Sequence, residues 1–175
     1  MEGNLHCPDK GSLPFECVHL NHYGPLERTG HRQRYVFEVI DAFTKFVKLY
    51  SVTSTRSDEA IKHLTPYFNT YSAPKRVVSD RGSVFTSQKF EEFLTQYGVR
   101  HILVATATSH ANWQIEWTNR SLTPILVKLT KAQSLWNDVL AEAEFALNNT
   151  VNRSTVTPAR LLFDNIRITF LVQIR

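Results

Sequence analysis

The sequence predicts one α/β layered domain, in which helices flank a five-stranded mixed sheet. Residues 16–52 are rich in β-branched and aromatic residues and contain alternating stretches, which is typical of strands. From residue 57 onward, apolar residues recur at helical spacing. Two short apolar runs, 76–79 and 99–104, interrupt that helical pattern. The resulting order, βββ-α-β-α-β-α-α, packs most economically as one sheet covered by helices.

The first three strands are predicted from alternation and from residue type. Glu16–His22 alternates apolar and polar residues, and Tyr23–Arg34 contains a Gly-Pro pair that indicates a loop. Tyr35–Asp41 and Lys45–Val52 are rich in Tyr, Val and Phe. The short interruption at Ala42–Thr44 indicates a hairpin. Three consecutive strands favour an antiparallel meander.

Two helices are predicted from a serine followed by an apolar stripe. Ser57 is expected to cap the first helix, which ends before Pro74. Ser87 is expected to cap the second helix, which Gly98 ends. Each helix is followed by a short apolar run that we predict to be a strand: Arg76–Ser79 and Val99–Val104.

The C-terminal part is predicted to be mostly helical. Ala105–Ala111 consists largely of small residues and is expected to be a loop. Asn112–Lys131 is expected to be a helix that Pro124 kinks or restarts. Leu135–Asn149 is predicted to be a final amphipathic helix. The sequence predicts no element for the tail that follows.

Composition limits the class of protein. The chain has 175 residues, 42% of them apolar and 21% charged, which suits one soluble globular domain. No apolar run approaches the roughly 18 residues that a membrane-spanning helix needs. The two cysteines, Cys7 and Cys17, indicate neither a disulfide framework nor a zinc module. A net charge of +4 permits a polyanionic partner without requiring one.

Asp80 and Glu116 are the best candidates for chemistry. Asp80 follows the fourth strand, Glu116 lies on the helix after the fifth, and Asn21 lies near the end of the first. Neighbouring strand ends and an adjacent helix can bring such side chains together. Divalent cations that act in phosphoryl transfer require clustered carboxylates, because hard cations prefer anionic oxygens. Spacing alone is nevertheless explained more simply by a turn aspartate and a solvated helical glutamate.

Four ordered blocks carry a resemblance to a known family: VHLNHYGPLE, VIDAFTKFVKLY, APKRVVSDRGSVFTSQKFEEFLTQYGVRHILVATATSHANWQIEWTNRSL and NNTVNRSTVTPARLLF. Together they closely resemble the integrase catalytic core of gypsy-type LTR retrotransposons, which is related to retroviral integrases. The resemblance covers residues 10–165, with 1–9 as a lead-in and 166–175 as a tail. It implies an RNase H-like fold and DNA 3′-processing and strand transfer with Mg²⁺ or Mn²⁺.

The resemblance also implies partners and site residues. DNA is the expected partner, the chain is expected to form homo-oligomers in the nucleus, and neither a membrane nor a small-molecule substrate is expected. The three acidic ligands of the family fall on Asn21, Asp80 and Glu116, so Asp80 and Glu116 are the predicted metal ligands. The predicted nucleic-acid contacts lie on the helix that carries Glu116: Asn112, Gln114, Asn119 and Arg120.

Several positions depart from the family pattern. Asn21 replaces a carboxylate and removes one negative charge from the predicted metal site. Trp113 and Trp117 stand where the family has glycine and arginine, so loop freedom and a phosphate-binding guanidinium are lost. Ser109 and Asp164 also depart from the pattern, replacing proline and glycine. These departures predict impaired strand transfer.

Three functions stay open from the sequence. The chain is an integrase core with weak or no activity, a non-catalytic nucleic-acid-binding or protein-interaction module that retains the fold, or an active nuclease that tolerates Asn21. Asp41 could replace the missing carboxylate, although a turn residue is the simpler interpretation. His19 and His22 flank Asn21, and packing is the favoured role for both, because Mg²⁺ disfavours imidazole.

Overall fold

The computed structural model describes residues 11–27, 32–104, 109–130, 135–151 and 156–164, and only the backbone of 109–117. Its elements are, in chain order, β1 (Cys17–Tyr23), β2 (Tyr35–Asp41), β3 (Val47–Val52), α1 (Ser57–Tyr71), β4 (Arg76–Ser79), α2 (Gln88–Gln96), β5 (Arg100–Leu103), α3 (Ser109–Thr130) and α4 (Leu140–Asn149). Residues 158–164 are also helical, which the sequence did not predict. Among the described helices, none combines the length and the apolar character that crossing a bilayer requires.

The five strands form one mixed sheet in the order β3-β2-β1-β4-β5. β1 pairs with β2, and β2 with β3, in antiparallel fashion, which confirms the predicted meander. β4 pairs in parallel with both β1 and β5. The predicted five-stranded mixed sheet flanked by helices is therefore confirmed, with β1 at its centre.

Helices cover both faces of the sheet. Alternate residues of β2 point to opposite faces, as the pleat requires. Phe37 and Val39 pack against α1 and α2, in a cluster that also contains Leu64, Phe68 and Phe90. On the other face, the cluster of α3 and α4 is built from Val36, Ile40, Leu122, Leu126 and Leu147. A polar side chain on an even-numbered residue of β2 is therefore placed beneath α3 and α4.

Several predicted boundaries were wrong. Ser57 does not cap α1, since its hydroxyl bonds the Val84 carbonyl and the Ser87 hydroxyl, and Arg56 occupies the cap position without a side-chain bond. Ser87 does cap α2, because its Oγ accepts a hydrogen bond from Phe90 N. The C-terminal helices differ at three points: α3 begins at Ser109, α4 begins at Leu140, and Pro124 lies inside an unbroken α3.

Burial explains why α3 continues past its proline. A proline inside a helix costs about 3 kcal/mol through its missing N–H and its clash with the preceding turn. Leu122 and Leu126, on either side of Pro124, are almost fully buried against the sheet. Burying two leucines contributes roughly 3–6 kcal/mol, which is enough to offset the proline.

Candidate metal and DNA site

The fold brings the predicted acidic positions onto neighbouring elements. His19 of β1 pairs with Val78 of β4 in the parallel ladder. Asn21 and Asp80 each follow this pair by two residues, so both lie just beyond the paired part of two neighbouring strands. Glu116 lies on α3, and its side chain lies outside the described residues, as do those of Asn112 and Gln114.

Asp80 is oriented by the turn that follows it. Its Oδ1 accepts a hydrogen bond from Gly82 N at 2.9 Å. A Cβ atom at Gly82 would lie 3.0 Å from that same oxygen, so a side chain at position 82 would press on the carboxylate. The carboxylate of Asp80 is therefore held in place at the end of β4.

A network of polar side chains, buried at Ser79 and reaching the surface at Glu91, supports the backbone of Asp80. Ser79 Oγ donates to the Asp80 carbonyl at 3.0 Å and lies 2.9 Å from His101 Nε2. His101 Nδ1 in turn lies 3.2 Å from Glu91 Oε2. Ser79 is fully buried, so this serine is not placed to attack a substrate and instead braces the strand end. No sequence pattern predicts this network, because its residues come from three different elements.

Asn21 is paired with a carboxyl group that the sequence analysis missed. Asn21 lies directly opposite Glu38 in the antiparallel ladder of β1 and β2. Its Nδ2 donates to Glu38 Oε2 at 2.8 Å. Glu38 is completely buried, and its Oε1 has no hydrogen-bond partner among the described residues. Burial raises the pKa of Glu38 from 4.5 to about 8, while the bond from Asn21 opposes the shift.

The histidines beside Asn21 are packing residues. His22 stacks on Phe37 at a ring-centroid distance of 4.9 Å and lies 5.6 Å from Phe85. Burial lowers the pKa of His22 to about 4, although the nearby carboxylates of Asp80 and Glu59 oppose the shift. Burial likewise lowers the pKa of His19 to about 4, with Lys45 adding to the effect. Both rings are therefore neutral at physiological pH.

Asp41 is a turn residue and does not replace Asn21. Its Oδ1 accepts from Phe15 N, and its Oδ2 accepts from the backbone and the hydroxyl of Thr44. Asp41 thereby closes the turn between β2 and β3, as the simpler interpretation of the sequence expected.

The oxygen atoms at this edge of the sheet are suited to a divalent cation. Among the side chains that the structure describes, no three His, Cys, Asp or Glu residues converge as a metal site. Asp80 and Asn21 offer hard oxygen atoms, and the unpartnered Oε1 of Glu38 is a further one close to Asn21. The chemistry of the donors therefore fits Mg²⁺ or Mn²⁺, with Glu116 as a predicted ligand.

Two of the predicted nucleic-acid contacts can be placed on α3. Arg120 is exposed. Asn119 is half-buried, and its Oδ1 has no hydrogen-bond partner within the described part of the chain. Tyr23 Oη and Thr123 Oγ1 lie 2.7 Å apart, so α3 crosses the end of β1 close to Asn21.

Comparisons with a family model and with curated proteins agree on one family. The model of the integrase core domain family matches residues 22–109, half of the chain. The Pro-Pol polyprotein of simian foamy virus type 3 is 28% identical over 158 residues, which are 89% of this chain and 14% of that protein. The Pro-Pol polyprotein of feline foamy virus is 30% identical over 152 residues, which are 86% of this chain and 13% of that protein. The chain thus spans a small part of these relatives.

Solved structures match the fold over most of the chain. One is the intasome of simian T-cell lymphotropic virus in complex with PP2A regulatory subunit B56 gamma, with a TM-score of 0.75, 21% identity and coverage of 88% of this chain and 56% of that chain. Another is the catalytic core domain of BIV integrase, with a TM-score of 0.74, 13% identity and coverage of 89% and 99%. The predicted RNase H-like fold is confirmed, whereas the gypsy-type assignment stays a prediction.

Proposed function

Because the chain belongs to the integrase core domain family, we propose that it binds DNA and carries out metal-dependent 3′-processing and strand transfer at a reduced rate. The observation that carries this proposal is the neutral amide of Asn21 on β1, the strand that pairs in parallel with β4, which Asp80 follows. A two-metal site needs anionic oxygens there, and an amide supplies an oxygen without the charge.

The cation would be held by Asp80, by Asn21 Oδ1 and by Glu116. When bound, Mg²⁺ or Mn²⁺ stabilises the charge that develops on the attacking and leaving oxygens of a phosphodiester. Asp80 is already oriented by Gly82 N, so its carboxylate does not have to be ordered when a cation binds. Asn21 ligates through one neutral oxygen, which weakens stabilisation of the transition state more than it weakens binding of the cation.

The DNA is proposed to contact α3. Arg120 is exposed on this helix and suits a bidentate contact with a phosphate. Asn112, Gln114 and Asn119 lie on the same helix and are proposed to position the strand. Assembly into homo-oligomers and a nuclear location are part of the same proposal.

A second candidate is a non-catalytic nucleic-acid-binding or protein-interaction module. Trp113 and Trp117 favour it, because two bulky indoles lie within three residues of Glu116 on the helix that would face the DNA. Aromatic rings there are suited to stack on unpaired bases rather than to clamp a phosphate.

Strand transfer on a branched DNA substrate with Mn²⁺ tests the proposal. We expect low activity in the wild type and an increase of at least about tenfold in Asn21→Asp, because one anionic ligand is restored. Asn149→Asp, an exposed position with the same chemical change, should leave the rate unchanged.

The outcomes separate the two candidates. Equal rates in the wild type and Asn21→Asp would refute the role given to Asn21. Salt-dependent DNA binding without turnover in either protein would favour the non-catalytic module. No binding to DNA at low salt would exclude both nucleic-acid functions.

A further inference from the structure

We propose that Glu38 supplies the carboxylate that position 21 lacks, so that the cross-strand pair of Asn21 and Glu38 holds a divalent cation together with Asp80. This inference rests on the proposed function, because it concerns the same cation. It adds a ligand that does not belong to the predicted acidic set.

The three residues come from three neighbouring strands or their ends. Glu38 lies directly opposite Asn21 on β2, and Asp80 follows β4, the strand that pairs with β1 on its other side. Neighbouring strands are about 4.8 Å apart, so each outer residue is one strand away from Asn21. The hydrogen bond of 2.8 Å places the Glu38 carboxyl in direct contact with the side chain at position 21.

The bond also fixes the direction of the Asn21 amide. Its Nδ2 is committed to Glu38 Oε2, so Oδ1 is turned away from that carboxyl oxygen. The pair therefore presents an amide oxygen from Asn21 and a carboxyl oxygen from Glu38 as separate donors. Together they offer the cation an oxygen at position 21 and a negative charge from the neighbouring strand, while the ligand at position 21 itself stays neutral.

The surroundings of Glu38 argue against a purely structural role. Val36 and Ile40, its neighbours on the same face of β2, are fully buried apolar residues. Glu38 is equally buried, yet its Oε1 has no partner among the described residues. An unpartnered buried polar atom costs about 1–3 kcal/mol, and a cation bound to Oε1 would remove that cost.

Asp41, the other buried carboxyl group of β2, shows the contrast. Each of its oxygens accepts hydrogen bonds, from Phe15 N and from Thr44. A carboxylate that serves structure in this sheet is thus fully satisfied, whereas Glu38 keeps one oxygen unbonded within the described part of the chain. Glu38 and Asp80 then supply two carboxylates, and Glu116 is the predicted third.

The test is Mn²⁺ binding to the full chain, measured by isothermal titration calorimetry without DNA. We expect Glu38→Gln to weaken Mn²⁺ binding at least about tenfold, as the loss of a ligand does. Asn21→Asp added to Glu38→Gln should restore the affinity to within about threefold of the wild type, since the charge returns one strand away. Glu142→Gln, which removes an exposed charge on α4, should bind Mn²⁺ as the wild type does.

Three results would overturn the inference. The first is equal affinity in the wild type and Glu38→Gln, and the second is an equal loss in Glu38→Gln and Glu142→Gln. The third is a loss in Glu38→Gln that Asn21→Asp does not repair, because Glu38 would then be needed only for structure. Thermal unfolding without metal checks that each variant is folded.

If Glu38→Gln does not fold, Mn²⁺ binding by Asn21→Asp alone still tests the inference. The inference predicts an affinity within about threefold of the wild type, because a carboxylate is already present beside position 21. A wild type that binds Mn²⁺ at least about tenfold more weakly than Asn21→Asp would overturn the inference and leave the proposed function standing, because a weakly bound cation still supports a reduced rate. Failure of the proposed function would appear separately, as the absence of DNA binding.

Discussion

Glu38 shows how strongly the fold can change the chemistry of one residue. On an exposed strand its carboxyl group would be ionised at neutral pH. Beneath α3 and α4 it is fully buried, and burial raises its pKa to about 8. Without a bound cation, Glu38 is therefore largely protonated at pH 7, and a cation has to displace that proton.

The raised pKa predicts a pH dependence of stability. Glu38 binds its proton more tightly in the folded chain than in the unfolded one, so its contribution is fully present below pH 4.5 and is lost as the pH rises through about 8. A rise of the pKa from 4.5 to about 8 corresponds to at most about 5 kcal/mol. Urea unfolding at pH 5 and pH 8.5 in metal-free buffer should show a larger loss for the wild type than for Glu38→Gln. Parallel losses in the two proteins would contradict this prediction.

The sequence shows that Glu38 is unusual in its strand, but it does not show whether the side chain is buried. YVFEVID has one charged residue in the middle of an apolar strand. Whether that charge faces water or protein depends on a layer built from α3 and α4, which lie 71 to 111 residues further along the chain. Asn21 and Asp80, in contrast, lie near strand ends that local patterns already located, and the parallel pairing of β1 with β4 brings those ends onto neighbouring strands.

At the scale of elements, α4 protects the edge of the sheet. Strand β3 lies at the edge, where unpaired backbone groups would be open to pairing with another chain. The Asn148 side chain accepts from Val47 N and donates to Val47 O, both at 2.8 Å. Glu144 Oε2 accepts from Leu49 N at 2.8 Å. Side chains of α4 thus form hydrogen bonds with the backbone of Val47 and Leu49 at the edge of the sheet, where the backbone of a further strand would otherwise bond.

This docking predicts a large effect for one asparagine and a small effect for its neighbour. Asn148→Ala leaves the buried N–H and C=O of Val47 unpaired and should lower the free energy of unfolding by roughly 2–4 kcal/mol. Asn149 is exposed and bonds only the Phe145 carbonyl within its own helix, so Asn149→Ala should change stability by about 0.5 kcal/mol or less. Urea unfolding of both variants measures the difference. Similar losses would mean that α4 does not hold the edge strand through Asn148.

Element boundaries were predicted well where the signal was local. Ser87 caps α2, as its position before an apolar stripe indicates. Ser57 has the same sequence signal, but its hydroxyl is used by Ser87 and by the Val84 carbonyl, both on distant parts of the chain. Pro124 was expected to interrupt α3, and the burial of leucines on both sides outweighs it. Tertiary contacts therefore decided the start of α1 and the continuity of α3.

At the scale of the whole molecule, a net charge of +4 does not say which surface meets DNA. A positively charged side chain contributes to DNA binding only when it lies close enough to a phosphate to release a condensed counterion. The proposed site predicts that the positively charged side chains in contact with phosphates lie on α3, near the end of β1 and Asp80. Arg120 is the exposed arginine of α3 in this region.

Arg120→Ala and Arg160→Ala separate local contact from overall charge. Each removes one positive charge, but Arg160 lies on the helical segment 158–164 and is ion-paired with Asp164 at 3.3 Å. If DNA binds along α3, Arg120→Ala should lower the slope of log affinity against log salt concentration by about 0.9, because one phosphate contact is lost. Arg160→Ala should leave the slope unchanged and weaken binding slightly at low salt, where long-range attraction is least screened. Fluorescence anisotropy with labelled duplex DNA over a range of salt concentrations measures both slopes. An equal change of slope in the two variants would mean that DNA responds to the net charge of the chain rather than to a surface organised around Asp80.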